Sequence, residues 1–126
     1  MKKIIATTNA PAAIGPYSQA IEANGFVFVS GQLPLDPATG AFVSDNTDEQ
    51  AEQCIKNLLA VLEAAGCKAE DVVKTTVFMI DIGDFSVVNE VYAKYFSGDC
   101  PARCAMQVSA LPKGALVEIE AIAVKP

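Results

Sequence analysis

Three charged residues near the end of the chain lie in two strand-like segments. Arg103 belongs to the segment Ala102–Ser109, and Glu118 and Glu120 belong to the segment Leu116–Val124. A proline and a glycine stand between the two segments, which predicts a turn and therefore a β-hairpin. Because the chain contains no histidine, acid–base catalysis would fall to carboxylate, tyrosine, cysteine or lysine side chains.

Alternation of side chains along the two strands predicts which residues share a face. If the apolar sides of both strands meet one core, Arg103, Glu118 and Glu120 lie together on the opposite face. That face also carries Ile122 and Val124, which is unusual for a surface that contacts only water. Two interpretations stay open at this point: an exposed sheet with ion pairs, or a functional site.

The composition limits the classes of protein to which the chain can belong. With 126 residues we predict one domain, residues 1–126. Hydrophobic residues make up 52%, so either the core is rich or another subunit covers apolar surface. No apolar run approaches the roughly 18 residues of a membrane span. Met1, Lys2 and Lys3 lead directly into a β-type run without a signal peptide, so we expect a cytoplasmic protein.

The charged and metal-binding residue types exclude further classes. A net charge of −6 without a basic cluster makes nucleic acid a disfavoured partner. The lack of histidine excludes Ser-His and Cys-His nucleophiles and most zinc sites, and we predict no metal site. No cysteine pair has CxxC spacing, so we predict free thiols at Cys54, Cys67, Cys100 and Cys104.

The remaining elements follow from periodicity and turn residues. A capping box that begins at Thr47 opens a helix that Gly66 ends, and Asp84 opens a second helix. Further strands are predicted at Ile4–Ala6, Gly25–Ser30, Ala41–Val43 and Asp71–Ile80. The order predicts an α+β sandwich with two helices on one face of a mixed sheet. We predict that copies of the chain cover the other face as a closed ring.

Five motifs occur in order along nearly the whole chain: Asn9–Gln19, Val29–Gln32, Val73–Phe78, Pro101-Ala102-Arg103 and Glu118-Ile119-Glu120. Together they resemble the RidA (YjgF/YER057c/UK114) family of enamine/imine deaminases. The resemblance implies a chorismate-mutase-like fold of the bacillus type, assembled as a homotrimeric barrel with active sites between subunits.

The resemblance also implies an activity that needs no cofactor. Members of the family hydrolyse 2-iminobutanoate and 2-iminopropanoate to 2-oxo acids and ammonia. These reactive imines leak from pyridoxal-phosphate-dependent dehydratases, so the implied role is control of metabolite damage. The implied partners are a small imino or 2-oxo acid and further copies of the chain.

The family positions assign roles to individual residues. Arg103 would bind the substrate carboxylate through its fork of donors, and Glu118 would orient and deprotonate the attacking water. Substrate binding would further involve Tyr17, Ser30, Gly31 and Asn89. From the residues alone, a packing tyrosine, a bulge glycine and a surface asparagine remain alternatives.

One position departs from the family pattern. Many members have a cysteine two residues after the arginine, where this chain has Ala105, and strand alternation turns Cys104 to the opposite face. We therefore expect no thiol in the cleft, which leaves the preferred substrate and any redox regulation open. Two other functions remain possible: a non-catalytic module that binds small carboxylates or a protein partner, and the endoribonuclease activity attributed to some relatives.

Overall fold

A six-stranded mixed sheet with two helices on one face forms the protein, and the computed structural model describes residues 1–126. The elements are β1 (Lys3–Ile5), β2 (Ala20–Ala23), β3 (Phe26–Gln32), α1 (Thr47–Ala64), β4 (Val72–Met79), α2 (Phe85–Ala93), β5 (Ala102–Gln107) and β6 (Val117–Val124). The strand order is β1-β2-β3-β6-β4-β5, and only β4 and β5 are parallel. The predicted α+β class and the single layer of two helices are confirmed.

The predicted hairpin of β5 and β6 is wrong, because β4 lies between these strands. Both strands instead bond to the end of β4: the Val108 N–H donates to Met79 O (2.8 Å), and the Ile80 N–H donates to Leu116 O (3.1 Å). The connection from β5 to β6 is long enough to pass the end of one strand. β4 is buried at alternate positions and takes the central place, which leaves β5 at the edge of the sheet.

The predicted common face for Arg103, Glu118 and Glu120 is also wrong. Arg103 pairs with Thr75, whereas Glu118 pairs with Phe78 and Glu120 with Thr76. Directly paired residues share a face, so Arg103 lies on the helix side of the sheet and both glutamates lie on the other side. The prediction failed because the apolar side chains of the edge strand β5 do not face the chain's own core.

The side of the sheet without helices is rich in apolar side chains. We call it the open face, and it consists of Ile4, Ile21, Ala23, Phe26, Phe28, Lys74, Thr76, Phe78, Ala102, Cys104, Met106, Glu118, Glu120, Ile122 and Val124. Several large apolar residues of this face are exposed, among them Phe26, Phe28, Met106 and Val124. Such a continuous apolar surface is typical of an interaction surface.

Helix α1 covers the centre of the sheet and contributes much of the core. Its buried stripe includes Cys54, Ile55, Leu58 and Leu62, as the periodicity predicts. At its C-terminus Gly66 adopts a left-handed conformation (φ +81°), which confirms its predicted role as the residue that ends the helix.

The capping box predicted at the start of α1 is not formed. Asn46 is the N-cap residue, and the Thr47 hydroxyl donates to Asp84 Oδ2 (3.2 Å). The side chain of Gln50 is used elsewhere: its amide donates to Ser44 O (2.9 Å) and its Oε1 accepts from the Leu116 N–H (2.8 Å). Gln50 therefore anchors the helix to the loop before it and to the residue before β6.

Two short strands differ from the prediction. The predicted strand Ala41–Val43 is reduced to a single bridge between Leu35 and Phe42. Strand β2 was not predicted, although Asn24 (φ 52°) and Gly25 (φ 80°) form the two-residue turn that joins it to β3. An Asn-Gly pair is a strong hairpin signal.

Neither helix combines the length and the apolar content that a membrane span requires.

Candidate active site

Arg103 is held against helix α2 at the edge of the sheet, and it is the only arginine in the chain. Its Nη1 donates a hydrogen bond to Asn89 Oδ1 (2.7 Å). The guanidinium carbon lies 4.9 Å from the ring centroid of Tyr92 and 5.2 Å from that of Phe85. Both distances are within the range of cation–π attraction.

Tyr92 is fixed beneath the guanidinium by a buried hydrogen bond. Its hydroxyl lies 2.7 Å from Thr75 Oγ1, and Thr75 is the residue that pairs with Arg103 across β4 and β5. Tyr92 is 5% exposed and Thr75 is 0% exposed. Burial raises the pKa of Tyr92, so its phenol is neutral at physiological pH.

No carboxylate of the chain pairs with Arg103. The one ion pair of the structure joins Lys125 and Glu22 (3.6 Å), far along the sheet from β5. Arg103 opens into a cleft of about 420 Å³, lined by Asn89, Tyr92, Ala93, Phe96, Cys100, Pro101 and Arg103. A cation with free N–H donors in a cleft can bind an anionic ligand.

The thiol content of this cleft differs in part from the prediction. The register confirms that Ala105 lies on the side of Arg103 and that Cys104 lies on the open face. Cys100, however, lines the Arg103 cleft, and its Sγ lies 3.6 Å from Phe96 O. The expectation that the cleft contains no thiol was therefore wrong, because the argument considered strand β5 alone and not the turn before it.

Glu118 and Glu120 line a second, larger cleft of about 650 Å³. Burial, and then the nearby charge of Glu120, raise the pKa of Glu118 above that of an ordinary glutamate. No basic side chain lies within ion-pair distance of either carboxylate. The other lining residues are Pro11, Ala12, Ile14, Tyr17, Ser30, Gly31, Gln32, Leu33, Leu35, Pro112 and Lys113.

The carboxylate of Glu118 occupies the space that a side chain at Gly31 would need. A Cβ at residue 31 would overlap Glu118 Oε2 and would lie 2.9 Å from its Cδ. The pairing of β3 with β6 is irregular between Val29 and Gln32, so an extra residue bulges out of β3 here. The bulge and the absent side chain together leave space for the carboxylate.

Ser30 and Tyr17 also line the larger cleft, and their side chains differ in hydrogen bonding and exposure. The Ser30 hydroxyl donates to Ser18 O (2.6 Å), and its N–H donates to Gln19 O (2.9 Å). The hydroxyl of Ser30 thus fixes the loop that carries Tyr17. The Tyr17 side chain is 53% exposed and is free to cover a ligand in the cleft.

The structure divides the six predicted site residues between the two clefts, which share no lining residue. Tyr17, Ser30, Gly31 and Glu118 line the larger cleft, and Asn89 and Arg103 line the smaller one. Within one chain Arg103 and Glu118 therefore do not come together.

No three His, Cys, Asp or Glu side chains lie close enough together to hold a metal ion.

Sequence reasoning missed three residues around the predicted site. Phe85 and Tyr92 lie in the second helix, which the sequence predicted, but no sequence signal separates a core ring from one that contacts a guanidinium. Lys113 lines the larger cleft with a left-handed backbone (φ 60°). Its position between Pro112 and Gly114 indicated the turn but not its place beside the two glutamates.

Comparison with known proteins identifies the family. The family model described as endoribonuclease L-PSP matches residues 7–125. The chain belongs to the endoribonuclease L-PSP family. Members of this family named for RidA, Rid and YjgF are among the solved structures that resemble the chain, which confirms the resemblance inferred from the sequence.

One curated relative and two solved structures give the extent of the similarity. The 2-iminobutanoate/2-iminopropanoate deaminase of Mus musculus is 54% identical over 125 residues, 99% of this chain and 93% of the relative. YyfA of Yersinia pestis, from the conserved Rid protein family, has a TM-score of 0.96 and 53% identity and covers 98% of this chain and 99% of its own. Escherichia coli TdcF, solved with bound serine, has a TM-score of 0.94 and 43% identity with the same coverages.

Proposed function

We propose that this L-PSP family protein is a cofactor-free deaminase that hydrolyses 2-iminobutanoate and 2-iminopropanoate. The observation that carries the proposal is the unpaired guanidinium of Arg103, held in a cleft by neutral partners. The 54% identity to a mouse deaminase of that name over nearly the full chain supports the same activity. A structure of TdcF with bound serine supports a small amino or imino acid as the class of ligand.

Arg103 suits the role of carboxylate anchor. One N–H group is bonded to Asn89, and the remaining donors are available for a bidentate pair with the substrate carboxylate. A charge-assisted pair of this kind contributes about 1.5–3 kcal/mol. Asn89 would hold the orientation of the guanidinium without neutralising its charge.

Glu118 suits the role of general base. Its raised pKa, due to burial first and to Glu120 second, makes it a better proton acceptor than an ordinary glutamate. Glu118 would take a proton from water as the water oxygen bonds to the imine carbon. That proton would pass to the nitrogen as the C=N π bond opens, which gives a carbinolamine. The remaining proton of the new hydroxyl would then move through Glu118 to the amine, so that the C–N bond breaks, ammonia leaves and the C=O bond forms, with no change of oxidation state.

The remaining predicted residues would shape the larger cleft. Gly31 leaves room for the Glu118 carboxylate and for a ligand next to the backbone. Ser30 fixes the loop through Ser18, and Tyr17 would cover the bound substrate. Glu120 would act on the chemistry indirectly, through the pKa of Glu118.

A complete site requires a second copy of the chain, and we infer a homotrimer that closes as a barrel. Arg103 and Glu118 lie on opposite faces of one sheet, so neither can serve a substrate held by the other within a single chain. The apolar open face and the exposed edge strand β5 support contact between copies. In this arrangement Arg103 of one protomer meets the partner subunit's Glu118. A cytoplasmic location stays a prediction.

Two alternatives are disfavoured by properties of the chain. The family description names an endoribonuclease, but a net charge of −6 and the absence of histidine oppose RNA binding and His-dependent cleavage. A non-catalytic module that binds carboxylates would use Arg103 in the same way. A module that only binds would not require Glu118, a carboxyl group with a raised pKa, next to the backbone of Gly31 in the larger cleft.

The test uses a threonine dehydratase to generate 2-iminobutanoate in situ, in the assay mixture, and follows the release of 2-oxobutanoate. The wild type should accelerate the release. Arg103→Ala should raise KM about 10- to 150-fold, because it removes one charge-assisted pair. Lys94→Ala, which removes an exposed cation from the end of α2, is the matched control and should leave KM unchanged. A wild type without acceleration, but with carboxylate binding that depends on Arg103, would favour the non-catalytic alternative.

A further inference from the structure

Two aromatic rings hold the guanidinium of Arg103 from the helix side of the sheet. Its carbon lies 4.9 Å from the Tyr92 centroid and 5.2 Å from the Phe85 centroid, and Asn89 Oδ1 is its one side-chain acceptor. An arginine on an exposed edge strand with no ion pair would otherwise sample many rotamers. Here three neutral groups contact the guanidinium.

We propose that Phe85 and Tyr92 are positioning residues that hold Arg103 in its carboxylate-binding orientation before the substrate arrives. This inference rests on the proposed function, in which Arg103 anchors the substrate. We refer to the two rings as the aromatic cradle. The cradle deepens the role of Arg103, because it explains how a flexible side chain is ready to bind at the edge of the sheet.

Aromatic rings suit this task better than a carboxylate would. A carboxylate would stabilise the guanidinium by accepting its N–H groups and neutralising its charge, so it would compete with the substrate. A ring attracts the cation through its π face and leaves the N–H groups free. Asn89 takes a single N–H and carries no charge.

The cradle is tied to the strand next to Arg103. The Tyr92 hydroxyl lies 2.7 Å from Thr75 Oγ1, and Thr75 is the residue that pairs with Arg103 in the register of β4 and β5. Tyr92 also packs on Phe96, with ring centroids 4.6 Å apart. The ring therefore cannot shift without breaking a buried hydrogen bond, which makes it a rigid support.

The first test measures 2-oxobutanoate binding by calorimetry together with KM and kcat. Tyr92→Leu removes one ring and should raise both Kd and KM about 5- to 30-fold, with a much smaller change in kcat. Tyr92→Phe retains the ring and should keep Kd within about twofold, although loss of the bond to Thr75 should lower Tm by about 3–6 °C.

A matched variant in the turn that follows α2 separates positioning from general stability. Tyr95→Leu removes a half-buried ring that bonds to Glu52 instead of contacting Arg103, so it should lower Tm without changing Kd. If Tyr92→Leu does not fold, Phe85→Leu decides, because Phe85 is only partly buried. An unchanged Kd in a folded variant that lacks either ring would overturn the proposal. Because the binding measurement does not depend on turnover, an inactive wild type would contradict the deaminase and not the cradle.

The second test uses free guanidinium at millimolar concentration, which is too low to unfold the protein. In Arg103→Ala it should occupy the empty cradle and restore part of the lost activity, whereas ethylammonium should restore less. In Arg103→Ala combined with Tyr92→Leu the rescue should disappear. Equal rescue in both variants, or none in Arg103→Ala, would mean that the rings do not select a guanidinium.

Discussion

The two clefts place residues of opposite charge, Arg103 and Glu118, in different surroundings. The guanidinium of Arg103 contacts neutral groups, the rings of Phe85 and Tyr92 and the amide of Asn89, and no carboxylate neutralises its charge. In the larger cleft burial and a neighbouring carboxylate make the charged form of Glu118 less stable. The first arrangement favours binding of an anion, and the second favours taking up a proton. This complementarity of charge is what the proposed site between two copies of the chain would need.

Glu118→Gln is expected to have the largest effect. The amide cannot accept a proton from water, so kcat should fall about 10²- to 10⁴-fold while Kd for 2-oxobutanoate changes little. Because the variant also removes a partly buried charge, its Tm at pH 7 should not fall. A stopped assay of 2-oxobutanoate, calorimetry and a thermal scan measure the three quantities. An active Glu118→Gln would remove the base from the mechanism.

Mixed assembly tests whether the clefts complete each other across subunits. Arg103→Ala and Glu118→Gln chains, each with low activity, are unfolded together and refolded. If each site uses Arg103 of one chain and the partner subunit's Glu118, random mixing of a closed ring should restore up to about a quarter of the wild-type sites.

The control for mixed assembly is the double variant Arg103→Ala/Glu118→Gln mixed with wild type. A site that spans two chains is then intact only where both chains are wild type, whereas separately refolded single variants should stay inactive. Failure of the two single variants to complement, despite assembly confirmed by light scattering, would contradict a site between subunits.

Gly31→Ala should have a smaller effect, confined to the larger cleft. The new Cβ overlaps Glu118 Oε2, so the carboxylate must turn away, and we expect a loss in kcat of about 10- to 100-fold. Carboxylate binding at Arg103 should change much less. In a Glu118→Gln background, Gly31→Ala should cost little more, because the two substitutions act on the same group. Additive losses would show that Gly31 acts independently of Glu118.

The smallest effect concerns the pH dependence. The raised pKa of Glu118 means that activity is lost as pH falls through that value, above the range of an ordinary glutamate. Glu120→Gln removes the second cause of the shift but not burial, which is the first. The acidic limb of kcat/KM should therefore move to lower pH without reaching the ordinary glutamate value. An unmoved limb would mean that Glu120 does not influence the base.

The raised pKa of Glu118 also affects the stability of the fold, and this effect can be compared with the pH profile of kcat/KM. A carboxyl whose folded pKa lies above its unfolded pKa contributes stability that is complete below the unfolded value and is lost as pH rises through the folded value. Glu118→Gln should therefore flatten the pH dependence of Tm in that window.

The sequence predicted the parts of the fold that depend on local patterns. The apolar periodicity of α1 and α2, the left-handed Gly66 and the buried strand β4 all follow from the types and spacing of neighbouring residues. The Asn24-Gly25 turn was an available signal that the prediction did not use.

Strand order and the facing of β5 could not be predicted in this way. A proline and a glycine between two strands indicate a turn, but they do not exclude a third strand between the two. Alternation correctly separated Ala105 from Cys104, yet it does not say which of the two lies on the core side of an edge strand. Here the apolar side of β5 faces away from the helices, so the assumption of one core placed Arg103 on the wrong face.

The distribution of the predicted site residues between two clefts depends on the strand order and register of the whole sheet. The roles of Tyr17, Gly31, Asn89, Arg103 and Glu118 came from family resemblance and remain proposals. Their grouping into two clefts follows from the register of β4 with β5 and β6, which no short segment determines. The contact of Arg103 with Tyr92 depends further on how α2 packs on that register.

That the chain contains a single arginine makes the proposed anchor directly countable. A dicarbonyl reagent such as phenylglyoxal can form a guanidine adduct at only one position per chain, so intact-mass spectrometry would report the fraction of anchors that are accessible. A carboxylate ligand that shields this position would slow the adduct, and the protection curve would give an occupancy without any enzymatic assay. The protein thus carries a built-in chemical reporter of ligand binding.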